Sequence, residues 1–200
     1  MGRPTCESKA KRNDDGLPEG LEQLLMPQQD NSRIVFLHSA VSEHSIAAVI
    51  AQLLHLANVG TSPIHLVVST YGGSIDEMFS LYDCIKFLPC PVHTVGLGKV
   101  MSAGVLLLAS GVKGKRLIGG RARIMMHSVS GGVYGNVFEV ENESKEQRRL
   151  HDLMVATLVK ETKMTRSHVD KIMSSKEDYY IDAEQALKLG IVDKIIGTDR

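Results

Sequence analysis

A serine, a histidine and an aspartate in this sequence have the residue types that acyl transfer requires. Ser102 comes just before the apolar segment Val105 to Ala109, and small residues follow it directly. His127 ends the apolar run Ile124 to Met126, and Asp178 precedes another short apolar run. Acyl transfer needs a nucleophilic hydroxyl, a base within hydrogen-bond reach and an acid that orients the base. These side chains are therefore candidates for a hydrolytic triad.

The surroundings of Ser102 suit attack on a carbonyl group. Ala103 and Gly104 are small enough for a substrate to approach the hydroxyl. A helix that starts here would offer free N–H groups to developing negative charge. Gly72-Gly73, at the end of an earlier apolar run, permits close approach of the backbone to a ligand. The alternative is that Ser102 only caps a buried helix, because serine is a common N-cap residue.

The elements that must position these residues alternate between short apolar runs and amphipathic stretches. The runs typical of buried strands are 34–37, 64–68, 92–95, 117–118, 124–126, 179–181 and 191–196. The stretches that predict helices are 43–57, 74–87, 102–109, 136–162, 165–174 and 183–189. This alternation predicts an α/β fold with crossover units and a mostly parallel sheet. The strand from Val92 is predicted to break at the turn Gly96-Leu97-Gly98.

The predicted helix 136–162 has two halves of different character. Its stretch Glu139 to Arg149 is almost wholly charged, whereas an apolar stripe begins at Leu150. A helix half without an apolar stripe cannot pack fully on its own domain. We therefore expect this half to project, either into solvent or against another subunit.

The composition is that of an ordinary globular protein, with 43% apolar and 23% charged residues. Lys+Arg and Asp+Glu balance at 23 each, so no net charge attracts nucleic acid or an anionic membrane. Residues 1–20 are rich in charge, proline and glycine, which predicts a flexible N-terminal arm before a single domain over 21–200. The first residues lack the apolar core of a signal peptide, and no apolar run is long enough to span a membrane.

The three cysteines fit neither a zinc site nor a disulfide framework. Reduced thiols predict a cytoplasmic protein, or one in an equivalent reducing organellar compartment. Gly96-Leu97-Gly98 has Met101 where a dinucleotide loop has its third glycine, and 111–116 lacks the spacing and the Ser/Thr of a P-loop. The histidines form no recognised pair of metal ligands. We therefore expect no metal, no nucleotide and no other cofactor.

Several motifs occur in a fixed order between about Arg33 and Ile196. They are Tyr71-Gly72-Gly73-Ser74, Val100-Met101-Ser102-Ala103-Gly104, Gly111 to Arg116, Arg123-Ile124-Met125-Met126-His127, Gly131 to Gly135 and Asp182 to Asp193. In sequence and spacing they resemble the motifs of the Clp peptidase family, the proteolytic subunits of the caseinolytic protease. The resemblance implies a serine endopeptidase of crotonase-like fold, built from repeated β-β-α units with helix 136–162 as a projecting handle.

The resemblance also assigns roles to residues. It implies that Ser102 is the nucleophile, His127 the general base and Asp178 the acid, with the backbone N–H groups of Gly73 and Ala103 as the oxyanion hole. The stretch before Asp178 holds extra residues, so Asp170 and Glu177 compete for the role of the acid.

The partners implied are further copies of the chain, in two stacked heptameric rings that meet through 136–162 and 131–135, and an AAA+ ATPase unfoldase that supplies unfolded protein. Tyr71 replaces the family's usual proline and Ala103 its usual methionine, and neither change removes a catalytic group. Two alternatives are a non-catalytic structural subunit of the ring and an acyl-CoA-handling enzyme of the crotonase superfamily. The presence of both Ser102 and His127 counts against each of them.

Overall fold

The computed structural model describes residues 32–197, through which one seven-stranded sheet runs. Its strands are β1 (Ile34–Leu37), β2 (Ile64–Thr70), β3 (Val92–Met101), β4 (Arg116–Gly119), β5 (Arg123–Met126), β6 (Tyr179–Ile181) and β7 (Lys194–Ile196). The helices of this part are α1 (Glu43–Val59), α2 (Ile75–Phe87), α3 (Ala103–Ala109), α4 (Val137–Glu161), α5 (Arg166–Met173) and α6 (Ala183–Lys188). The predicted arm 1–20 and the predicted start of the domain at residue 21 lie outside the described residues.

The sheet is mostly parallel, as the alternating pattern predicts. Strands β1-β2-β3-β4-β7 are neighbours in that order, and each pair among them is parallel. β5 is parallel to the second half of β3, and β6 is antiparallel to β5. The prediction of a mixed α/β fold with a parallel sheet is therefore confirmed.

Serine caps fix the starts of the first two helices. At α1 the Ser42 hydroxyl accepts a hydrogen bond from the Ser45 N–H, and the Ser45 hydroxyl accepts one from the Ser42 N–H. At α2 the Ser74 hydroxyl accepts a hydrogen bond from the Glu77 N–H. Each cap satisfies backbone donors that the helix itself cannot pair. Because Ser74 directly follows Gly73, the start of α2 also fixes the glycine pair.

β3 runs unbroken from Val92 to Met101, so the predicted break at Gly96-Leu97-Gly98 is wrong. The glycines instead mark a bulge, because Val68 of β2 lies opposite Gly96 while Thr70 lies opposite Val100. β3 pairs with β4 as far as Gly96 and with β5 from Lys99 onward. Gly98 has a φ of 64°, which glycine adopts at low cost where a strand must kink.

The last strand is shorter than the predicted run 191–196. Ile191 and Val192 are buried, but they belong to the connection after α6, and the Ile191 N–H donates to the Ala186 carbonyl. An apolar run cannot distinguish a buried connection from a buried strand, because both exclude water. β7 therefore begins only at Lys194.

α4 has the predicted extent and the predicted two halves. It begins at Asn136, which forms a capping box with Glu139. Its first three turns are exposed almost throughout, whereas Met154, Val155 and Leu158 in its second half are buried. Along the part of the chain that the structure describes, no helix combines the length and the hydropathy needed to cross a bilayer.

Candidate active site

Ser102 lies at a strained turn between β3 and α3. Its φ of 53° and ψ of −121° make it the one non-glycine residue with positive φ among residues 32–197. Strained backbone of this kind costs on the order of 1–3 kcal/mol and is concentrated at functional sites. Ser102 holds the N-cap position of α3, but its side chain makes no capping hydrogen bond. The hydroxyl is therefore available for chemistry, and the alternative of a purely capping serine finds no support in this geometry.

His127 lies within hydrogen-bond distance of this hydroxyl. The His127 Nε2 atom is 2.8 Å from the Ser102 Oγ atom, and both residues are half-buried. The backbone brings them together, because Met101 lies opposite Met125 across the parallel pair β3 and β5. In addition, the Ser102 N–H donates to the Met125 carbonyl at 2.8 Å. A nucleophile and a base at this distance satisfy the first geometric requirement of acyl transfer.

The glycine pair after β2 packs directly against the nucleophile turn. Gly72 has a φ of 96°, and a Cβ atom built on it would lie 2.7 Å from the Ser102 Cβ and 3.2 Å from the Ala103 nitrogen. The turn is held in place, since the Val41 N–H donates to the Gly72 carbonyl and the Ser74 N–H donates to the Val41 carbonyl, each at 2.8 Å. Only glycine fits at position 72 without displacing Ser102.

The backbone N–H groups of Gly73 and Ala103, which sequence analysis predicts as an oxyanion hole, lie beside the nucleophile turn. Gly73 and Ala103 both line the cavity that contains Ser102 and His127. Within residues 32–197, neither N–H donates to a protein acceptor. Donors that are held by the fold and left without an acceptor are suited to bind charge that develops in a transition state.

The cavity has a volume of about 640 Å³, and several apolar side chains line it. They are those of Ile75, Met78, Val129, Leu150 and Met154. Glu143 and Gln147, from the exposed half of α4, line the cavity as well. Sequence reasoning missed these two, because a stretch that is almost wholly charged gives no signal for which of its residues turns toward a cavity.

Asp178 lies near His127 in the sheet but is not bonded to it. Met126 of β5 lies opposite Tyr179 of β6, and His127 and Asp178 each come one residue beyond that pair. The Asp178 carboxylate is exposed and accepts a hydrogen bond from the Tyr180 hydroxyl at 3.5 Å. Within residues 32–197, no hydrogen bond joins an acidic side chain to His127.

The two competing acids have other surroundings. The Asp170 carboxylate accepts hydrogen bonds from Arg166 at 3.1 and 3.2 Å, one helical turn away on α5. Glu177 is exposed beside Asp178. Of the three candidates, Asp178 is the one that directly precedes β6, the strand paired with β5.

A largely buried polar cluster anchors the end of α4. Glu161 accepts hydrogen bonds from the Tyr82 hydroxyl at 2.7 Å and from the Lys86 ammonium at 3.0 Å. Burial alone would raise the pKa of Glu161, but these two bonds outweigh it and hold the pKa below its usual value. Arg116 donates to the Glu161 carbonyl at 2.7 Å and to both carboxylate oxygens of Asp193. The cluster thereby joins α4 to β4 and to the connection before β7.

Comparison with known proteins assigns the chain to a family. The family model described as Clp protease matches residues 22–199 of the chain. The chain belongs to the Clp protease family. The membership confirms the resemblance drawn from the motifs, and it supports the function of a protease, which is a hydrolase. Among the described residues, no group of three or more histidine, cysteine, aspartate or glutamate side chains is placed to hold a metal ion.

Proposed function

We propose that this chain is the proteolytic subunit of an ATP-dependent Clp protease, a serine endopeptidase that uses Ser102, His127 and Asp178 without a cofactor. The observation that carries the proposal is the 2.8 Å separation of His127 Nε2 and Ser102 Oγ in a cavity large enough for a peptide. The strained backbone of Ser102 and the close approach of Gly72 add to it. An acyl-CoA-handling enzyme of the same superfamily needs no such serine–histidine pair.

In the proposed reaction, His127 Nε2 takes the proton of the Ser102 hydroxyl while Oγ attacks the carbonyl carbon of a peptide bond. The Gly73 and Ala103 N–H groups donate to the oxyanion of the tetrahedral intermediate. Loss of one such donor costs roughly 10²–10³ in rate. His127 then gives its proton to the leaving amine, and a water molecule activated by the same histidine releases the acyl group from Ser102.

We assign Asp178 to the remaining part of the triad. An acid beside the other ring nitrogen of His127 would orient the imidazole and stabilise the imidazolium that forms. The Asp178 carboxylate has to leave the Tyr180 hydroxyl to do this. The bond that it would give up is at the long limit of hydrogen-bond distance, so the exchange costs little.

We further propose the crotonase-like arrangement of β-β-α units and the assembly of the chain into two stacked heptameric rings. The exposed half of α4 would act as the handle between rings, together with the loop 131–135. Exposed apolar residues at this end support a contact with another subunit, since Tyr134, Val137 and Phe138 are all more than 60% exposed. An AAA+ ATPase unfoldase would deliver unfolded protein in the cytoplasm or an equivalent reducing compartment.

The experiment that tests the nucleophile is labelling with a fluorophosphonate probe, followed by mapping of the labelled peptide. We expect the label on Ser102, and we expect it to be absent from the Ser102→Ala variant and strongly reduced in His127→Ala. Ser130→Ala is the matched control, because Ser130 lines the same cavity and has no proposed role. An assembled, peptide-exposed sample without label on Ser102 would overturn the peptidase and favour a non-catalytic subunit.

The experiment that tests the acid compares Asp178→Asn, Asp170→Asn and Glu177→Gln. We expect kcat for a fluorogenic peptide to fall by up to about 10⁴ in the first variant, the loss that replacement of a triad aspartate by asparagine produces. The other two variants are expected to keep the parent rate. An unchanged rate in Asp178→Asn would reject this assignment.

A further inference from the structure

Tyr71 is an exposed aromatic residue at the edge of the catalytic cavity. It directly precedes Gly72, and it lines the same cavity as Ser102 and His127. Its side chain is 68% exposed, so the core does not account for its size. The proposed proton transfers do not use its hydroxyl either. A large ring beside a nucleophile therefore needs another explanation.

Lys99 holds this ring from one side. The Lys99 ammonium lies 5.0 Å from the centroid of the Tyr71 ring. A cation within about 6 Å of a ring centroid is attracted by the electron-rich face of the ring. Lys99 is half-buried on β3, so the contact limits the freedom of a ring that would otherwise move in solvent.

The bulge in β3 explains why Lys99 reaches Tyr71. Between the pairs Val68–Gly96 and Thr70–Val100, β2 has one residue where β3 has three. The kink at Gly98 takes up the excess and carries Lys99 to the turn that follows β2. The glycine pattern that sequence reasoning took for a simple turn thus supplies the lysine that faces the ring.

The backbone at Tyr71 is fixed as well. The Gly72 N–H donates to the Thr70 hydroxyl at 3.0 Å, and the Gly72 carbonyl accepts from the Val41 N–H at 2.8 Å. A ring with an anchored backbone and one side held by a cation loses little conformational entropy when a ligand packs on it. Tyr71 is in this sense a preorganised wall of the cavity.

We propose that Tyr71, held by Lys99, is a specificity-determining residue that packs against an apolar, preferably aromatic, side chain of the bound peptide. The proposal rests on the peptidase function, and it names the substrate class of that site. The apolar residues Ile75 and Met78 line the same cavity, which favours an apolar side chain over a charged one. Aromatic pairs add about two- to tenfold in affinity beyond the area that they bury.

The test measures peptide binding in the full-length Ser102→Ala variant, so that cleavage plays no part in the readout. The probes are short, fluorescently labelled, alanine-rich peptides that carry one phenylalanine at successive positions, and the quantity compared is the Kd relative to the all-alanine peptide. We expect at least one position of phenylalanine to tighten binding. Adding Tyr71→Ala should remove about two- to tenfold of that gain, and adding Tyr71→Phe should keep it.

Two further variants separate the proposed role from a general effect on the fold. Lys99→Met should lower the gain from phenylalanine by a smaller factor, because the ring stays but loses the cation that holds it. Phe87→Ala is the matched control, since Phe87 is an exposed aromatic residue on α2 that does not line this cavity. It should leave the gain unchanged.

Two results would overturn the proposal: no position at which phenylalanine tightens binding, or a gain that survives Tyr71→Ala in full. A failure of the peptidase function gives a different result, namely a parent chain that is neither labelled at Ser102 nor active on any of the peptides. The binding comparison stays readable in that case, because it is made on a chain without the nucleophile.

Discussion

A methyl group at position 72 would collide with the nucleophile. The Cβ of an alanine there would lie 2.7 Å from the Ser102 Cβ and 2.9 Å from the Met101 carbonyl oxygen, both well inside van der Waals contact. Since neither neighbour is the far end of a flexible side chain, the nucleophile turn itself has to move. A shift of the order of 1 Å at a reacting atom costs about 10²-fold in rate. We therefore expect Gly72→Ala to lower the rate constant of fluorophosphonate labelling at Ser102 by about 10²-fold.

Gly114→Ala is the matched control for this experiment. Gly114 has a similar φ of 87°, but a Cβ there meets nothing within 4 Å. Both variants are expected to lose about 1–2 kcal/mol of stability because alanine is strained at positive φ, and Gly72→Ala is expected to lose more because of its collisions. Chemical denaturation measures this loss, and only Gly72→Ala should also lose labelling. A Gly72→Ala protein that is folded and labelled at nearly the parent rate would refute the argument that the glycine turn positions Ser102.

Three other predictions concern stability. Ser102→Gly should have a free energy of unfolding higher than that of Ser102→Ala by on the order of 1 kcal/mol, because glycine relieves the strain at φ 53° at the cost of extra chain entropy. The measurement is the midpoint of chemical denaturation, and equal midpoints for the two variants would mean that the turn is not strained. Burial, with smaller effects of His65 and Lys115, lowers the pKa of His93 to about 4, so the folded state favours the neutral ring. The stability that this preference contributes is complete above pH 6.5 and is lost as the pH falls toward 4, by roughly 1–2 kcal/mol because partial exposure of the ring screens the effect. Urea titrations at several pH values measure this loss, which His93→Asn should reduce. Arg116→Met should lower the free energy of unfolding by about 3–5 kcal/mol, because Asp193 and the buried Glu161 carbonyl lose their donor. The control is Arg149→Met, at an exposed ion pair on α4, which should leave the denaturation midpoint unchanged.

The parts of the fold that sequence predicts well are those where a local signal and burial agree. The helix starts predicted at residues 43, 74 and 136 lie within one residue of the observed starts, where Ser42, Ser74 and Asn136 are the N-caps. The strand β2 is buried along its whole length, as its apolar run predicts, whereas β1 exposes Phe36 although its run is apolar throughout. The alternation of the two then limits the topology to parallel crossovers.

The errors lie where a residue type has two structural uses. Gly98 predicts a turn, but a bulge needs the same positive φ, and only the pairing of β3 with two different strands distinguishes them. Ile191 is apolar because its connection is buried and not because it is a strand.

The site could be predicted as a set of residues but not as a geometry. Ser102 and His127 are recognisable from their positions at the ends of apolar runs, and the structure brings them to 2.8 Å. The cavity walls from Glu143 and Gln147 are not recognisable, because the exposed half of α4 carries no apolar signal. The role of Asp178 is still a prediction, since register places it near His127 while its carboxylate contacts Tyr180.

The Ser102 N–H donates to the Met125 carbonyl, so its amide proton reports on whether Ser102 and His127 are held together. That proton exchanges with solvent only when β3 and β5 separate at their ends, and the same separation pulls the hydroxyl away from the imidazole. Deuterium uptake at this single amide therefore measures how often the serine–histidine pair comes apart, in a molecule that carries no substrate and no inhibitor.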